Sequence, residues 1–332
     1  MKFPPTYTRT PQIEELLREL DVLKAAFSLI EVPPQKLIYL RRKSLLKSSL
    51  YSARIEGNPL HMKDIEDGTS ISSTNKRKRE VFNINKAITR LANNPPATLD
   101  STWLLTVHQM AMDGPSPSAG AFRTEESAIF NQAGVAVYLT PAPARIRELL
   151  HQLLAYSNDS SDPAPIRAAV AHLWFEKIHP FDDGNGRVGR LLSFTILKAG
   201  RYDFGGIVPL EVYLESHRQE YYDELARDTQ DVTSFVDFFL TALTSQAKTS
   251  LEELKQPIPQ HHIELLPRRA EMLDVIRDHR MVSFDFLARR FRAVAPSTLH
   301  YDLKQLIKEG YIKKLGSTRG AVYTLSGKEM TV

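Results

Sequence analysis

Twelve consecutive residues hold the densest chemistry in the chain: His179-Pro-Phe-Asp-Asp-Gly-Asn-Gly-Arg-Val-Gly-Arg190. Gly184 and Gly186 free the backbone for tight conformations whose N–H groups converge, and they stand where a helix through Leu191 and Leu192 begins. Converging amides at the positive end of a helix make a seat for an anion. Arg187 and Arg190 are three apart on one face of that first turn, where a cation is disfavoured by about 0.3 to 1 kcal/mol. Two arginines tolerated there predict an anion of more than one charge, and a di- or triphosphate gripped by guanidinium forks fits. Asp183 beside this seat would repel polyphosphate unless a hard divalent cation bridged them; Mg²⁺ held by carboxylate and phosphate oxygens is the usual arrangement. His179 has the side chain suited to taking a proton from a hydroxyl near neutral pH. Together these residues predict nucleotidyl or phosphoryl transfer to a hydroxyl.

Composition narrows the setting. Among 332 residues there is no cysteine, which removes disulfides, thiolate metal sites and thiol nucleophiles and fits a reducing compartment. At 42% hydrophobic and 25% charged the chain is an ordinary globular protein long enough for two or three domains. The N-terminus has no apolar leader, and its longest apolar stretches, such as Phe235 to Leu243, fall far below the roughly 18 to 20 residues that span a bilayer. A soluble, unexported, cytoplasmic protein with no membrane partner is expected. The net charge of +4 is unevenly placed: residues 266–332 hold 13 Lys and Arg against 7 Asp and Glu, and the first 265 hold 30 against 32.

Helical periodicity fills the first 250 residues and must position the motif. Leu16, Leu17, Leu20, Leu23 and Phe27 share one side of a run from Gln12 to Ile30, and a second run extends from Gln35 to Ile55. Further runs are expected at Lys63–Ile65, Glu80–Leu91, Ser101–Met112, Ala144–Tyr156, Pro165–Lys177, Arg187–Lys198, Glu215–Asp228 and Val232–Lys248. The one strand signal lies in Ser127 to Leu139, where two apolar segments flank Asn131–Gly134 and read as a hairpin. Lys255–Gln260, with two prolines, is the best linker. Beyond it, runs at Arg268–Arg280, Ser283–Phe291 and Ser297–Gly310, then strands at Tyr311–Lys314 and Ala321–Leu325 around Ser317–Gly320, give the order of a winged helix-turn-helix. Ser297 is expected to cap its third helix and Gly310 to close it.

The twelve-residue stretch resembles the Fic-family signature HxFx[DE]GNGRxxR at every specified position. That resemblance implies a mainly α fold, a Fic-type helical core with a small β-hairpin flap, here followed by the winged helix-turn-helix domain. It implies Mg²⁺-dependent transfer of AMP from ATP to a Ser, Thr or Tyr hydroxyl of a protein, the chain itself included, with release of pyrophosphate. Carried over by position, His179 is the general base, Asp183 the metal ligand and Gly184, Asn185 and Gly186 the phosphate nest, with Asn185 helping to fix the α-phosphate. Arg187 and Arg190 hold the β- and γ-phosphates. Ser127, Ala128, Ile129 and Phe130 resemble the flap strand that aligns a target segment by strand-like pairing, and Tyr221 and Tyr222 resemble a pair near the adenine.

Ser52-Ala-Arg-Ile-Glu56-Gly57 resembles the family's inhibitory pattern [ST]xxxE[GN]. Local physics supports it separately: Gly57 and Pro59 look like a helix stop, so Glu56 is an anion at the negative end of a helix. In the family such a glutamate pairs with the second motif arginine, here Arg190, and displaces the γ-phosphate. The expected division is therefore 1–97, an N-terminal helical region with the inhibitory helix; 98–250, the catalytic core; 251–265, a linker; and 266–332, the winged helix-turn-helix.

Other features have plainer readings. Lys76 to Arg79 reads as a solvated helix start, His108 and His172 as core histidines, and His261–His262 lack zinc-site spacing. In the third helix of the C-terminal segment, Leu299, Leu303, Leu306 and Ile307 form the expected core stripe. Ser297, Thr298, His300, Tyr301, Lys304 and Lys308 face outward with Asp302, whose charge opposes a phosphate-binding face. DNA binding and a protein-docking or homodimer role stand side by side for 266–332. A DNA-binding regulator that senses nucleotide, and removal of AMP or another phosphotransfer, are the alternatives to the transferase.

Overall fold

Thr10 accepts a hydrogen bond from the Ile13 N–H and Pro11 fills the first turn, so α1 (Pro11–Leu29) starts where the sequence supplies a cap and a residue with no amide donor to satisfy. The computed structural model describes residues 4–66, 75–130, 136–158, 161–227, 230–256, 267–292, 294–308, 310–316 and 321–326. Helices follow at α2 (Pro34–Ile55), α3 (Met62–Glu66), α4 (Lys76–Asn93) and α5 (Ser101–Met112). Strands β1 (Ala128–Phe130) and β2 (Ala136–Leu139) pair antiparallel, Ala128 opposite Leu139 and Ile129 opposite Tyr138, with a register shift after Ile129. Six more helices continue: α6 (Ile146–Asn158), α7 (Ala164–Ile178), α8 (Asn185–Ala199), α9 (Leu210–Ser216), α10 (Arg218–Ala226) and α11 (Thr233–Lys255). The chain closes with α12 (Pro267–His279), β3 (Val282–Ser283), α13 (Phe284–Arg290), α14 (Pro296–Lys308), β4 (Ile312–Leu315) and β5 (Val322–Leu325), β5 lying between β3 and β4 in an antiparallel sheet. The fold is mainly helical.

Most residues up to Gln256 pack as one compact unit, and those from Pro267 onward, with short upstream pieces, as another. At the centre of the first is α7, every residue of which but Arg167 is buried. A helix apolar or enclosed all round can only be a core helix. It packs along α8, whose Val188, Leu191, Leu192 and Ile196 face inward. Trp174 and Phe175 are almost fully enclosed, and burial of each such side chain contributes about 1.5 to 3 kcal/mol. Phe175→Ala would leave a cavity there and cost about 3 to 5 kcal/mol. The rigid α7–α8 pair thus frames the loop between Ile178 and Asn185 that carries the motif.

Several expectations need correction. The run Glu215–Asp228 is two helices: α9 begins earlier, after Pro209, and the chain bends at His217 (φ −113°, ψ 35°) before α10. The last helix of the first unit reaches Lys255, two turns beyond the expected end, because Leu254 is buried with Leu40 and Ile207 and Glu253 pairs with Lys43 and Lys47. Ser297 does not cap α14. The helix starts at Pro296, with the Ala295 carbonyl accepting from the Thr298 and Leu299 amides. Ile307 is exposed, and its place in the core face is taken by Asp302, fully buried against Arg268 and Arg269. Strand β3 carries no sequence signal, being only two residues long. Asn131–Gly134, Pro257–Gln260, His261–His262 and Ser317–Gly320 lie outside the described residues, as do the side chains of Ile129 and Phe130.

Candidate functional site

The site begins where α7 stops. His179 caps that helix in the left-handed region (φ 49°, ψ 60°), its N–H bonded to the Phe175 carbonyl at 2.9 Å. Its ring Nδ1 lies 3.2 Å from the Glu176 carbonyl. A carbonyl only accepts, so Nδ1 carries the proton and Nε2 keeps its lone pair. Burial holds this imidazole below its ordinary range, partly offset by that hydrogen bond, so the ring is neutral near pH 7.

The loop after His179 is braced from inside. Asn185 accepts from the Phe181 N–H at 2.9 Å and donates to the Phe181 carbonyl at 2.8 Å, and its side chain is buried. That engagement closes the loop. His108 stacks on Phe181 with ring centroids 3.7 Å apart, donates to the Asp183 carbonyl at 2.9 Å and accepts from Gly120 N–H at 2.8 Å. Gly184 takes φ +88° and opens α8. By helix geometry the amides of Asn185, Gly186 and Arg187 have no intrahelical acceptor, which builds the expected seat for an anion.

The chain's own carboxylates converge on that seat. Arg190, 3% exposed, donates Nη2 to Glu56 Oε1 at 2.9 Å and to the Ser52 carbonyl at 2.8 Å, and Nε to Ser52 Oγ at 2.9 Å. A Cβ at Gly186 would collide with Glu56 Oε1 and lie 3.0 Å from Arg190 Nη1, so the Glu56 carboxylate rests directly over the first turn of α8. Arg187 pairs with Glu80 at 2.5 Å and with Asp183 Oδ1. Burial pushes the Glu56 carboxyl up, but Arg190 and Arg187 together hold it below its ordinary value. Glu56 therefore stays an anion. Arg190 Nη1 and Glu176 Oε1 are buried with no hydrogen-bond partner among the described residues. Burial, reinforced by Glu56, raises the Glu176 carboxyl to about 8.

The helix end that presents Glu56 is itself anchored. Its Schellman-like close uses Gly57 at φ +91°, with the Glu56 and Asn58 amides bonding to the Ala53 carbonyl. Arg54 pairs with Glu215 at 2.8 Å, and Tyr222 donates its hydroxyl to the Ile55 carbonyl at 2.9 Å. Tyr221 is buried with its hydroxyl 2.7 Å from His172 Nε2. Both tyrosines line one cavity of about 570 Å³ together with Glu56, Glu176, His179, Asp183 and Gly184 to Gly186. Ala128 and Tyr138 of the hairpin complete its wall.

Sequence reasoning missed several of these parts. Arg123 is buried and donates to the carbonyls of His179 (2.8 Å), Glu125 (2.8 Å) and Pro141 (2.5 Å), tying the motif loop to both ends of the hairpin segment. Ser127 anchors the far end of that segment, its carbonyl accepting from Thr140 Oγ1 at 2.7 Å. Lys177 lies buried with Nζ 4.2 Å from the Tyr138 ring. Nothing in the spacing of Glu80, Arg123 or Lys177 marks them. His108 carried a faint signal, a polar ring in an apolar helix, and was read as core. It is core, and it also sets the carbonyl of Asp183.

Residues 98–197 match the Fic/DOC family. The protein adenylyltransferase Fic of Aedes aegypti is 27% identical over 286 residues, covering 78% of this chain and 54% of the relative; that of Culex quinquefasciatus is 28% identical over 278 residues, covering 76% and 52%. The chain thus spans about half the length of the curated relatives it matches. A Fic family protein from Desulfovibrio desulfuricans superposes with a TM-score of 0.69 over 99% of this chain and 100% of that one, at 23% identity. Fic-1 from C. elegans gives 0.56 over 73% and 71%, also at 23%. At these identities the two structures establish likeness of fold.

Proposed function

Because residues 98–197 match the Fic/DOC family, we propose that the chain is a protein adenylyltransferase restrained by its own helix α2. It transfers AMP from ATP to a Ser, Thr or Tyr hydroxyl of a protein. One observation carries the reading: a neutral histidine base, an anion seat and a competing carboxylate line a single cavity, and that carboxylate is held by the buried Arg190.

In this mechanism His179 Nε2 takes the hydroxyl proton while the hydroxyl oxygen bonds to the α-phosphorus of ATP. The bond to the bridging oxygen breaks, and pyrophosphate leaves. The amides at the start of α8 and the Arg187 and Arg190 guanidinium groups hold the phosphate oxygens, and the unpartnered Arg190 Nη1 already faces that seat. Asp183 is the residue that would hold Mg²⁺. Its side chain is 55% exposed and its Oδ1 is turned to Gly184 and Arg187, which leaves Oδ2 for a cation. No three His, Asp or Glu converge as a ready metal cage among the described residues, which suits an ion that enters with the nucleotide. Bound Mg²⁺ would supply charge neutralisation on the phosphates.

Glu56 restrains this chemistry by occupying the seat. Its charge and position over Gly186 exclude a phosphate from the same turn and tie up Arg190. The hairpin serves as the flap, with β1 pairing to an extended target segment. Residues 1–97, 98–250 and 266–332 act as restraint, catalytic core and winged helix-turn-helix, with 251–265 as linker. Incubating wild type, Glu56→Gly and His179→Ala with Mg²⁺ and ATP, followed by mass spectrometry, tests the reading. AMP on Ser, Thr or Tyr of the Glu56→Gly protein and none on His179→Ala is expected. Label retained only from the γ-phosphate would overturn it.

A second reading concerns residues 266–332 and is favoured by the burial of Asp302. With that acid turned inward, the exposed side of α14 presents His300, Tyr301, Lys304 and Lys308, which suits the phosphates of duplex DNA. A salt-dependent mobility shift of duplex DNA, lost on Lys304→Glu with Lys308→Glu, is expected; an unshifted duplex at low salt would remove the reading.

A further inference from the structure

A second cavity, of about 430 Å³, lies behind the Glu56–Arg190 pair. Its volume falls within the roughly 300 to 1,000 Å³ of small-molecule sites. Four walls close it: Arg41, Ser44, Leu45 and Ser48 from α2; Ile88, Thr89 and Ala92 from α4; Phe194 and Leu197 from α8; and Leu214 and Phe239 from α9 and α11. The interior is mainly apolar. The polar groups are few and graded: Ser44, Ser48 and Glu211 are buried, whereas Arg41 is exposed and donates Nε to the Gly205 carbonyl at 2.7 Å. Of the lining charges, Lys198 is matched by Asp203 at 3.0 Å and Arg190 by Glu56. Arg41 makes no ion pair among the described residues. Glu211 has no cation paired to it among the described residues; burial raises its carboxyl against the hydrogen bond from Ser48. The lining is therefore a mainly apolar chamber with one buried acid inside and one unmatched cation, Arg41, on its exposed side.

We infer that this chamber is a binding site for an amphipathic carboxylate, its apolar tail enclosed between α2, α4 and α8 and its anionic head at Arg41, and that an occupant favours the docked position of α2. The second clause follows from the walls. Residues 41, 44, 45, 48 and 52 lie on one face of α2, since they recur at the three- and four-residue spacing of a helix. The face that closes the chamber at Arg41 to Ser48 thus continues into Ser52, which holds Arg190. The chamber is complete only while α2 is docked, so a ligand that fills it binds the docked state better and shifts the population toward it. The functional meaning of that shift, reinforced restraint by Glu56, rests on the reading proposed above.

The test uses the full chain, with sodium decanoate and uncharged 1-decanol as probes. Titration calorimetry is expected to show saturable decanoate binding. Ala92→Phe, and independently Thr89→Met, fill the chamber from α4 and should abolish it. Arg41→Gln should weaken decanoate roughly tenfold and leave decanol unchanged. Hydrogen exchange should slow over residues 37–56 when decanoate is bound to the wild type. Absence of saturable binding, or wild-type affinity in either filled variant, overturns the site. Binding without added protection of α2 overturns the coupling. None of these readouts needs ATP, so a failure of the adenylyl-transfer reading would be seen separately.

Discussion

Two regions of this protein bury arginine against carboxylate, and they do so in opposite senses. In the C-terminal unit the acid is the buried partner: Asp302 is 0% exposed and receives Arg268 Nε at 2.5 Å and Arg269 Nε at 2.9 Å, one on each oxygen. Both carboxylate oxygens are satisfied, and Arg268, 35% exposed, reaches outward. At the start of α8 the base is the buried partner: Arg190 is 3% exposed, Glu56 27%, and Arg190 Nη1 has no partner among the described residues. A pair whose hydrogen-bonding capacity is used up fixes two helices. A pair with a donor left over, facing a cavity, can exchange its carboxylate for another anion. The residue types are the same, and only the side that faces open space differs.

The largest effect expected from this comparison is on stability. Asp302→Ala should destabilise the chain by about 3 kcal/mol, the lower end of the cost of breaking a buried pair, because Arg268 can turn to water. Thermal melting should show the loss, with auto-modification by ATP unchanged. A change below about 1 kcal/mol would erase the distinction drawn here. Glu56→Gly should add a gain that Asp302→Ala lacks: auto-modification rises about tenfold, alongside a loss of stability, because Arg190, 3% exposed, keeps only Ser52 as a partner.

A third effect separates the sites by pH. Burial keeps the Glu176 carboxyl at about 8 against an ordinary 4.5, so the folded chain retains a proton that the unfolded chain sheds. Stability contributed by this group therefore falls as pH rises from about 4.5 to about 8, at up to about 1.4 kcal/mol per pH unit. Asp302 has the opposite sign. Burial raises it, the arginines lower it further, and its contribution is lost only as pH falls below the ordinary 3.8. Urea midpoints of Glu176→Gln should lose the upper slope and keep the acid one. The smallest effect is expected from Tyr222→Phe, which removes the hydroxyl on the Ile55 carbonyl. Loss of one hydrogen bond of about 0.5 to 1 kcal/mol should raise auto-modification two- to fivefold, roughly, and add nothing in the Glu56→Gly background.

What was legible in advance was local. His179 through Arg190 could be read because a base, an acid, two glycines and two arginines in twelve residues form a single turn and helix start whatever surrounds them. Glu56 was legible for a related reason, as an acid placed against the dipole of its own helix. Asp302 and Ile307 were misplaced because periodicity gives the spacing of a buried face but not which of two neighbouring positions faces inward. The deciding partners, Arg268 and Arg269, are more than thirty residues away. The break at His217 was missed because its flanks are equally good helix formers, and only the packing of α9 and α10 separates them.

The sequence by itself determined the reactive inventory: no thiol, a histidine, a carboxylate and an amide seat at a helix start. These depend on neighbours within a few positions, where chain geometry leaves few choices. Tertiary structure alone decided which anion meets that seat, since Glu56 and Arg190 are 134 residues apart. It alone decided that Arg123 ties the motif loop to the hairpin and that a second chamber opens behind α2. Those are outcomes of how packed helices face one another, and side-chain period within one helix carries no information about the face presented by the next.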